Sequence, residues 1–334
     1  MIVKKRTVPL KILCNEALLR SIPPRHPKRS IIEMDLKNRR SGFQGEQSID
    51  YYLHLLPESQ YHIFHDLRLT VDGRFYFQID NLLNSLNFHL IVEVKNYSGT
   101  ILYDHKTNQF FQIVKGIKKS IDNPLSQVKR HKRQLKDWKS KHNFTNVPIE
   151  YLVVFGNPAT ILETTSDTTQ VFKRIVRPEQ LLDKIEEFEG LYPNQVLDNV
   201  KINDLDRQLL RAHTPPSIDI FQTYGMTSAE LIIGVRCPAC GSYPMNRENR
   251  KWLCPACGNI SMDAHKRTIL DYLLIHGTIT NQQCRENLLL PTRNVAYKML
   301  KSLNLPYTGV GTRRTYHLPP QAQLSTYLNK NGLV

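Results

Sequence analysis

Asp80, Glu93 and Lys95 have the types and spacing to share one task. Glu93 and Lys95 flank Val94 in the run Ile91-Val92-Glu93-Val94-Lys95, which is apolar enough for a central strand. Alternation along a strand sends Glu93 and Lys95 to one face and Val94 to the other. Unpaired charges in such a strand are costly, so a partner is expected. Asp80 falls near the end of the preceding predicted strand, where pairing can bring its carboxylate within a metal's diameter of Glu93. Two hard oxygen ligands suit Mg²⁺ (or Mn²⁺), an ion that neutralises a phosphoryl group and makes a nucleophile of water at neutral pH. A neighbouring lysine can orient the attacking water or stabilise charge developing at phosphorus. The plain alternative is an exposed Glu-Lys pair on an edge strand.

A second group lies near the C-terminus. Cys237-Pro238-Ala239-Cys240-Gly241 and Cys254-Pro255-Ala256-Cys257-Gly258 are two near-identical knuckles, separated by thirteen residues. Four thiolates at this spacing predict a closed tetrahedral Zn²⁺ site that stabilises a core too small to fold alone. Arg247, Arg250, Lys251 and Trp252 lie between the knuckles and offer phosphate contacts and a stacking surface. Trp252 serves equally well as the small core of the unit. The remaining cysteines, Cys14 and Cys284, read as small apolar residues.

These groups need elements to hold them. Ile49, Leu53 and Leu56 recur at helical spacing within 41–56, and Glu46 lies on the same stripe. A carboxylate there needs a cation or a metal, unless it sits at the exposed edge of the stripe. Extended segments are predicted at 61–69, 75–83 and 88–95, then a hairpin of 100–104 and 110–114. A helix follows over 125–141, and the continuous apolar run 149–155 predicts a strand covered on both faces. The result is an α/β fold, a mixed sheet flanked by helices, ending near Gly190.

Gly45-Glu46, Gln78-Ile79-Asp80, Glu93-Val94-Lys95-Asn96-Tyr97-Ser98-Gly99 and Asn123-Pro124-Leu125-Ser126-Gln127 together resemble the nuclease-related (NERD) domain, from about Ser41 to Phe155. That family is placed in the PD-(D/E)xK nuclease superfamily. The resemblance implies a restriction-endonuclease-like fold and a Mg²⁺-dependent cut of DNA. It implies that Asp80 and Glu93 hold the metal, that Lys95 is the catalytic lysine, and that Glu46 completes the acidic cluster. It also supports a site-side role for Gln127. The turn between Asp80 and Glu93, Asn84-Ser85-Leu86-Asn87, lacks the glycine usual in the family.

On the helix 125–141, Val128, Leu135 and Trp138 form the packed stripe, while Lys129, Lys132, Arg133, Lys136 and Lys139 form a basic one. The basic stripe suits a phosphate track or a solvated face. Gln127 and His131 share a face, His131 with a structural role first. Residues 1–40, basic and broken by prolines, read as an arm or short helical preface, and 191–234 as a helical linker. The cysteine unit, at 235–260, resembles a zinc ribbon, including those appended to bacterial type IA topoisomerases. Three helices and a hairpin over 261–320 resemble a winged helix, followed by a tail at 321–334. In its third helix Arg293, Asn294, Tyr297, Lys298 and Lys301 can enter a major groove, with Arg313 and Arg314 of the wing on phosphates. Winged helices also dock proteins.

Composition fits these readings. Lys and Arg outnumber Asp and Glu by 45 to 30 across 334 residues, a formal charge of +15 that favours a polyanionic partner. No apolar run is long enough to span a bilayer, so a cytoplasmic protein without a membrane partner is expected. The expectation is therefore a metal-dependent DNA endonuclease, targeted by its C-terminal modules, with a role in defence against foreign DNA or in repair. A homodimer is compatible with cutting both strands. The alternative is a non-catalytic DNA-binding or regulatory protein on an inactive nuclease fold.

Overall fold

The computed structural model describes residues 1–144, 147–165 and 171–332. The chain divides into two units, Met1–Arg6 with Ser41–Pro216, and Thr7–Arg40 with the chain from Ser217 onward. In chain order the elements begin with β1 (Ile2–Lys4), α1 (Leu10–Ser21), α2 (Arg29–Gln47) and α3 (Asp50–His54). Next come β2 (His62–Thr70), β3 (Tyr76–Asn84), β4 (His89–Lys95), β5 (Thr100–Asp104), β6 (Gln109–Val114) and β7 (Ile117–Ile121). The first unit is completed by α4 (Pro124–Lys141), β8 (Ile149–Phe155), β9 (Ile161–Thr164), β10 (Ile175–Val176), α5 (Leu181–Leu191) and α6 (Asn199–Ala212).

Its main sheet has the order β1-β2-β3-β4-β8-β10. The strands β2, β3 and β4 pair antiparallel, and β4, β8 and β10 pair parallel. The apolar run of β8 divides between two cores. Ile149, Val153 and Phe155 face one with Val128, Leu135 and Trp138 of α4, while Leu152 and Val154 face the other with Leu53 of α3 and Ile185 of α5. Burial on both faces is why this strand lacks polar alternation. A second sheet, β7-β6-β5-β9, is built on the predicted hairpin.

One irregularity matters for the site. The β2–β3 ladder pairs His65 with Asn81 and Leu67 with Ile79, but skips Asp66 and Asp80 between them. Asp66 is left-handed, at φ +53°. Across this break the apolar side chains change parity: Phe64 and Leu67 enter the same core, as do Ile79 and Leu82. Simple alternation cannot describe either strand through that point.

Several expectations are revised. The helix read over 41–56 is two helices, because the Ser48 hydroxyl donates to Gly45 O at 2.6 Å and competes with continuation of α2. Residues 1–40, read as an arm or a short helical preface, carry β1, α1 and the start of α2. β1 pairs with β2, and α1 buries Ile12, Cys14, Ala17 and Leu18. The segment 191–234, read as a helical linker, does carry the helices α6 and, further on, one at Ile220–Tyr224, and Ile202, Leu205 and Leu209 of α6 belong to the first unit's core.

The second unit adds α7 (Ile220–Tyr224), β11 (Asn246–Glu248), β12 (Lys251–Leu253), β13 (Ile260–Ser261), α8 (Ala264–His276), β14 (Thr278–Thr280), α9 (Asn281–Asn287) and α10 (Arg293–Ser302). It closes with β15 (Tyr307–Thr308), β16 (Thr315–His317) and α11 (Gln321–Lys330). A helix thus occupies most of the expected tail, whose last two positions lie outside the described residues. The strands of the cysteine segment form a sheet β11-β12-β13, and those among the later helices a sheet β14-β16-β15. Trp252 is 1% exposed and donates through Nε1 to His265 Nδ1 at 3.1 Å, so it is core rather than stacking surface. Val235, Cys237, Met245, Trp252 and Cys254 share one apolar cluster with Ile269, Leu273 and Met299. The cysteine segment therefore has no separate core of its own. Among the described residues no helix is long and apolar enough to cross a membrane.

Candidate functional site

Strand β4 sends Leu90, Val92 and Val94 into the core under α3 and α5, and Ile91, Glu93 and Lys95 to the side of α4. The β3–β4 ladder ends at Asn81 opposite Val92. At the next position the strands exchange a different bond, with Val94 N donating to Asp80 Oδ2 at 2.9 Å. The break at Asp80 thus frees its carboxylate from the pleat and turns one oxygen onto the neighbouring strand.

Helix α4 supplies the opposite wall. Asn123 caps it, accepting from Ser126 N at 3.0 Å, and Pro124 occupies its first position. One turn in, Gln127 accepts from Lys95 Nζ at 2.9 Å and donates through Nε2 to Glu93 Oε1 at 2.7 Å. Lys95 Nζ also reaches Glu93 Oε1 at 2.6 Å. Glu93 Oε1 is therefore fully engaged. Its other oxygen, Oε2, is buried without a hydrogen-bond partner, 3.5 Å from His131 Nδ1, itself unpartnered.

Glu46 arrives from the end of α2. A Cβ on Gly45 would lie 2.4 Å from the Asn96 Cβ, and one on Gly156 would lie 2.4 Å from Ser48 Oγ. The two glycines let α2 close against the ends of β4 and β8. Asn96 Nδ2 donates to Ser41 O at 2.6 Å and pins the same helix. Behind Glu46 stands Arg6, which bonds Glu46 Oε2 at 2.8 Å and Asn81 Oδ1 at 2.7 Å. Arg6 was hidden in the sequence by its place in a basic lead-in. His131 was signalled by its four-residue offset from Gln127, but its proximity to Glu93 was not.

A cavity of about 440 Å³ opens over the group, lined by Glu46, Asp80, Glu93, Lys95, Gln127 and His131 among others. Three carboxylates around one hollow repel. Burial, then the charges of Glu93 and Glu46, push the Asp80 carboxyl well above its usual range. Burial pushes Glu46 up to about 7 against the pull of Arg6, with Asp66 and Glu93 adding to the rise. Glu93 is held below its usual range, because His131 and Lys95 outweigh its burial. Lys95 is pushed up despite burial, by Glu93 and then Asp80. Among the described residues only the four cysteines bring three or more ligand atoms within 4.8 Å of one another, but the acids lining this cavity and the orphaned oxygen of Glu93 would be satisfied by a divalent cation, and oxygen donors suit Mg²⁺ or Mn²⁺.

The basic stripe of α4 divides. Lys129, Arg133 and Lys136 are exposed and Lys132 half-buried, with no carboxylate partner among the described residues. Lys139 is not part of it. It is 2% exposed and donates to Val147 O at 3.2 Å, and burial lowers its pKa to about 7.

In the second unit the four sulfurs lie within 4.8 Å of one another. Cys237 and Cys257 are 3.8 Å apart and Cys240 and Cys254 3.6 Å. A tetrahedron of Zn–S bonds near 2.3 Å has edges of about 3.8 Å. The two knuckles repeat one backbone pattern: Gly241 N bonds Cys237 O and Gly258 N bonds Cys254 O, with both glycines left-handed. The cluster is consistent with a zinc ribbon. Farther along, Arg293, Asn294 and Lys298 are exposed on α10, with Thr292 as its N-cap. Arg313 is exposed, whereas Arg314 stacks over the Tyr307 ring at 4.5 Å.

Residues 41–156 match the family described as the nuclease-related domain, NERD. The match covers about a third of the chain and contains Glu46, Asp80, Glu93, Lys95 and Gln127. Neither a curated protein nor a solved structure matches the chain. The class thus indicated is nuclease-related, carried by a mixed α/β unit with a four-cysteine cluster elsewhere in the chain.

Proposed function

We propose that the chain is a metal-dependent DNA endonuclease of the PD-(D/E)xK type, with a restriction-endonuclease-like catalytic unit and C-terminal zinc-ribbon and winged-helix modules that engage DNA. The observation that carries this reading is the convergence of Asp80, Glu93, Lys95 and Gln127 on one open cavity, with Glu93 Oε2 buried and unsatisfied. Asp80 and Glu93 would hold Mg²⁺, which supplies phosphate neutralisation and water activation when bound. Lys95 is charged, and its Nζ is held by Glu93 and Gln127 at the cavity wall. From there it orients the attacking water or stabilises the extra charge on phosphorus. Gln127 fixes Lys95 against Glu93, and Glu46 adds a third carboxylate from α2. Exposed Lys129, Arg133 and Lys136 of α4, with half-buried Lys132, draw in the phosphate backbone, and Arg293, Asn294, Lys298, Arg313 and Arg314 provide a second contact. The proposed setting is the cytoplasm, in defence against foreign DNA or in repair, with a homodimer for cutting two strands.

Plasmid cleavage with Mg²⁺ tests the site. Asp80→Ala and Lys95→Ala are expected to lower the rate at least about 10²-fold. Metal-independent cutting, or equal cutting by Asp80→Ala, refutes the site. Binding without cutting by the wild type leaves the chain a non-catalytic DNA binder.

A further inference from the structure

The sheet β7-β6-β5-β9 carries a feature that the catalytic group does not use. On its inner face, Ile101 of β5 and Phe110 of β6 are buried in the core of the first unit. Register places Gln112 opposite Lys119 and Val114 opposite Ile117 on that same face. Yet Val114, Ile117 and Lys119 are exposed, Ile117 by 73%. The hairpin β6–β7 therefore runs past the core that its inner face would otherwise cover.

Its position is fixed by the catalytic strand. Gln112 Nε2 donates to Ser98 O at 2.8 Å, in the loop that leaves Lys95. A Cβ on Gly99 would lie 2.3 Å from Ile113 O, so β6 passes directly over that loop. At its other end the hairpin leads through Ile121 into Pro124 of α4, one turn before Gln127. The overhanging row that begins at Gln112 and Lys119 is thus anchored to the segments on both sides of the cavity.

The hairpin is also basic. Lys115, Lys118 and Lys119 are exposed, and among the described residues none has a carboxylate partner. Some exposed cations elsewhere pair with acids one turn away, as in Arg39 with Asp35 and Arg207 with Asp204, whereas the hairpin lysines, like Lys129, Arg133 and Lys136 of α4, do not. Lys118 lies over the Phe111 ring at 4.0 Å, which holds its ammonium on the outer face. Lys115 occupies the first position of the two-residue turn at φ +50°, followed by Gly116 at φ +78°. Asparagine fits that position better than lysine, so the turn does not itself call for a charge there.

We infer that the β6–β7 hairpin is a nucleic-acid clamp in which Lys115, Lys118 and Lys119 hold phosphates of the strand leaving the cavity, with Ile117 at its tip against sugar or base. This rests on the nucleic-acid reading above. Three lysines without carboxylate partners, on a hairpin anchored beside the proposed phosphodiester site, match a polyanion in charge, and an apolar tip suits insertion beside stacked bases.

The test uses the full chain and a fluorescent DNA duplex, with Kd measured over a series of NaCl concentrations without added Mg²⁺. Lys115→Asn with Lys118→Thr and Lys119→Thr keeps the turn and strand preferences while removing the charges. The slope of log Kd against log salt is expected to shrink by up to about 2.7, roughly 0.9 for each phosphate no longer neutralised. Lys115→Asn alone, the variant least able to disturb folding, should remove about 0.9. A control, Lys201→Gln with Arg207→Gln and Arg211→Gln on α6, removes equal charge elsewhere and should leave the slope near wild type. An unchanged slope in the hairpin variants, or an equal loss in the α6 control, overturns the clamp while leaving the nuclease reading standing. A hairpin-dependent slope in a protein that never cuts sustains the clamp and defeats the nuclease. A wild type that binds no nucleic acid defeats both.

Discussion

The Arg6 guanidinium lies 2.8 Å from Glu46 and 2.9 Å from Asp50, with only 6% of its side chain exposed. A residue of the first strand region thus neutralises the acid that α2 brings to the cavity. Removing one partner of a buried pair leaves the other uncompensated. Because Glu46 and Asp50 keep 23% and 26% of their side chains exposed, Arg6→Ala is expected to cost about 1.5–3 kcal/mol in urea unfolding. Arg6→Lys should recover only part, since an ammonium cannot fork to two carboxylates. An Arg6→Ala midpoint equal to wild type would show that the pair contributes nothing.

Glu46 makes the metal-free protein pH-sensitive. Its pKa in the fold is about 7, above the ordinary 4.5, so the folded state keeps this proton longer than the unfolded chain does. Stability from this group is full below about pH 4.5 and is lost as pH rises towards 7. Glu46→Gln, which leaves Arg6 paired with Asp50, should stabilise the metal-free protein at about pH 8 by up to about 3 kcal/mol. Little change is expected near pH 4, and thermal melts at the two pH values decide it.

Lys139 works in the opposite range. Its pKa is lowered from 10.5 to about 7 by burial, so the unfolded chain binds the proton more readily. Its cost is full below about pH 7 and fades as pH rises towards 10.5. Lys139→Met should add about 2 kcal/mol near pH 6, loss of the bond to Val147 O offsetting part of the relief, and the gain should shrink at higher pH because the cost of charging Lys139 fades. A gain independent of pH would assign the effect to packing alone.

Chelation addresses the cysteine cluster. Cys237 and Cys254 lie in the same apolar cluster as Ile269 and Met299, so ion removal should loosen α8 and α10 together with the knuckles. Limited proteolysis after treatment with a strong chelator is expected to cut beyond Ser217 and spare the first unit. Elemental analysis should find one zinc per chain. Zinc-free protein with unchanged proteolysis would remove the metal from the account.

The elements around the site were largely legible, because each carried a local signal. The period-two run ending in Glu93-Val94-Lys95, the Asn123-Pro124 start of α4 and the doubly covered strand Ile149–Phe155 all state their structure within a few residues. What could not be read depends on contacts distant in sequence. Arg6 meets Glu46 only because β1 pairs with β2. The break at Asp80 is visible only when its partner strand, kinked at Asp66, is known. Lys139 looked like one more cation on a basic face, and only the path of Val147 shows it to be enclosed. Trp252 had two equal readings until the neighbouring helix α8 supplied His265.

The pairing of Ile2 with Ile63 has a practical consequence for anyone cutting the gene. A fragment trimmed to 41–156, the borders of the family match, would discard the edge strand, Arg6 and all of α6. Such a fragment would expose the flank of β2 and the side of the core that Ile202, Leu205 and Leu209 seal. During synthesis the first strand must likewise wait, unpaired, until the ribosome has released β2. The first unit is thus assembled from separated stretches of chain rather than from one contiguous piece.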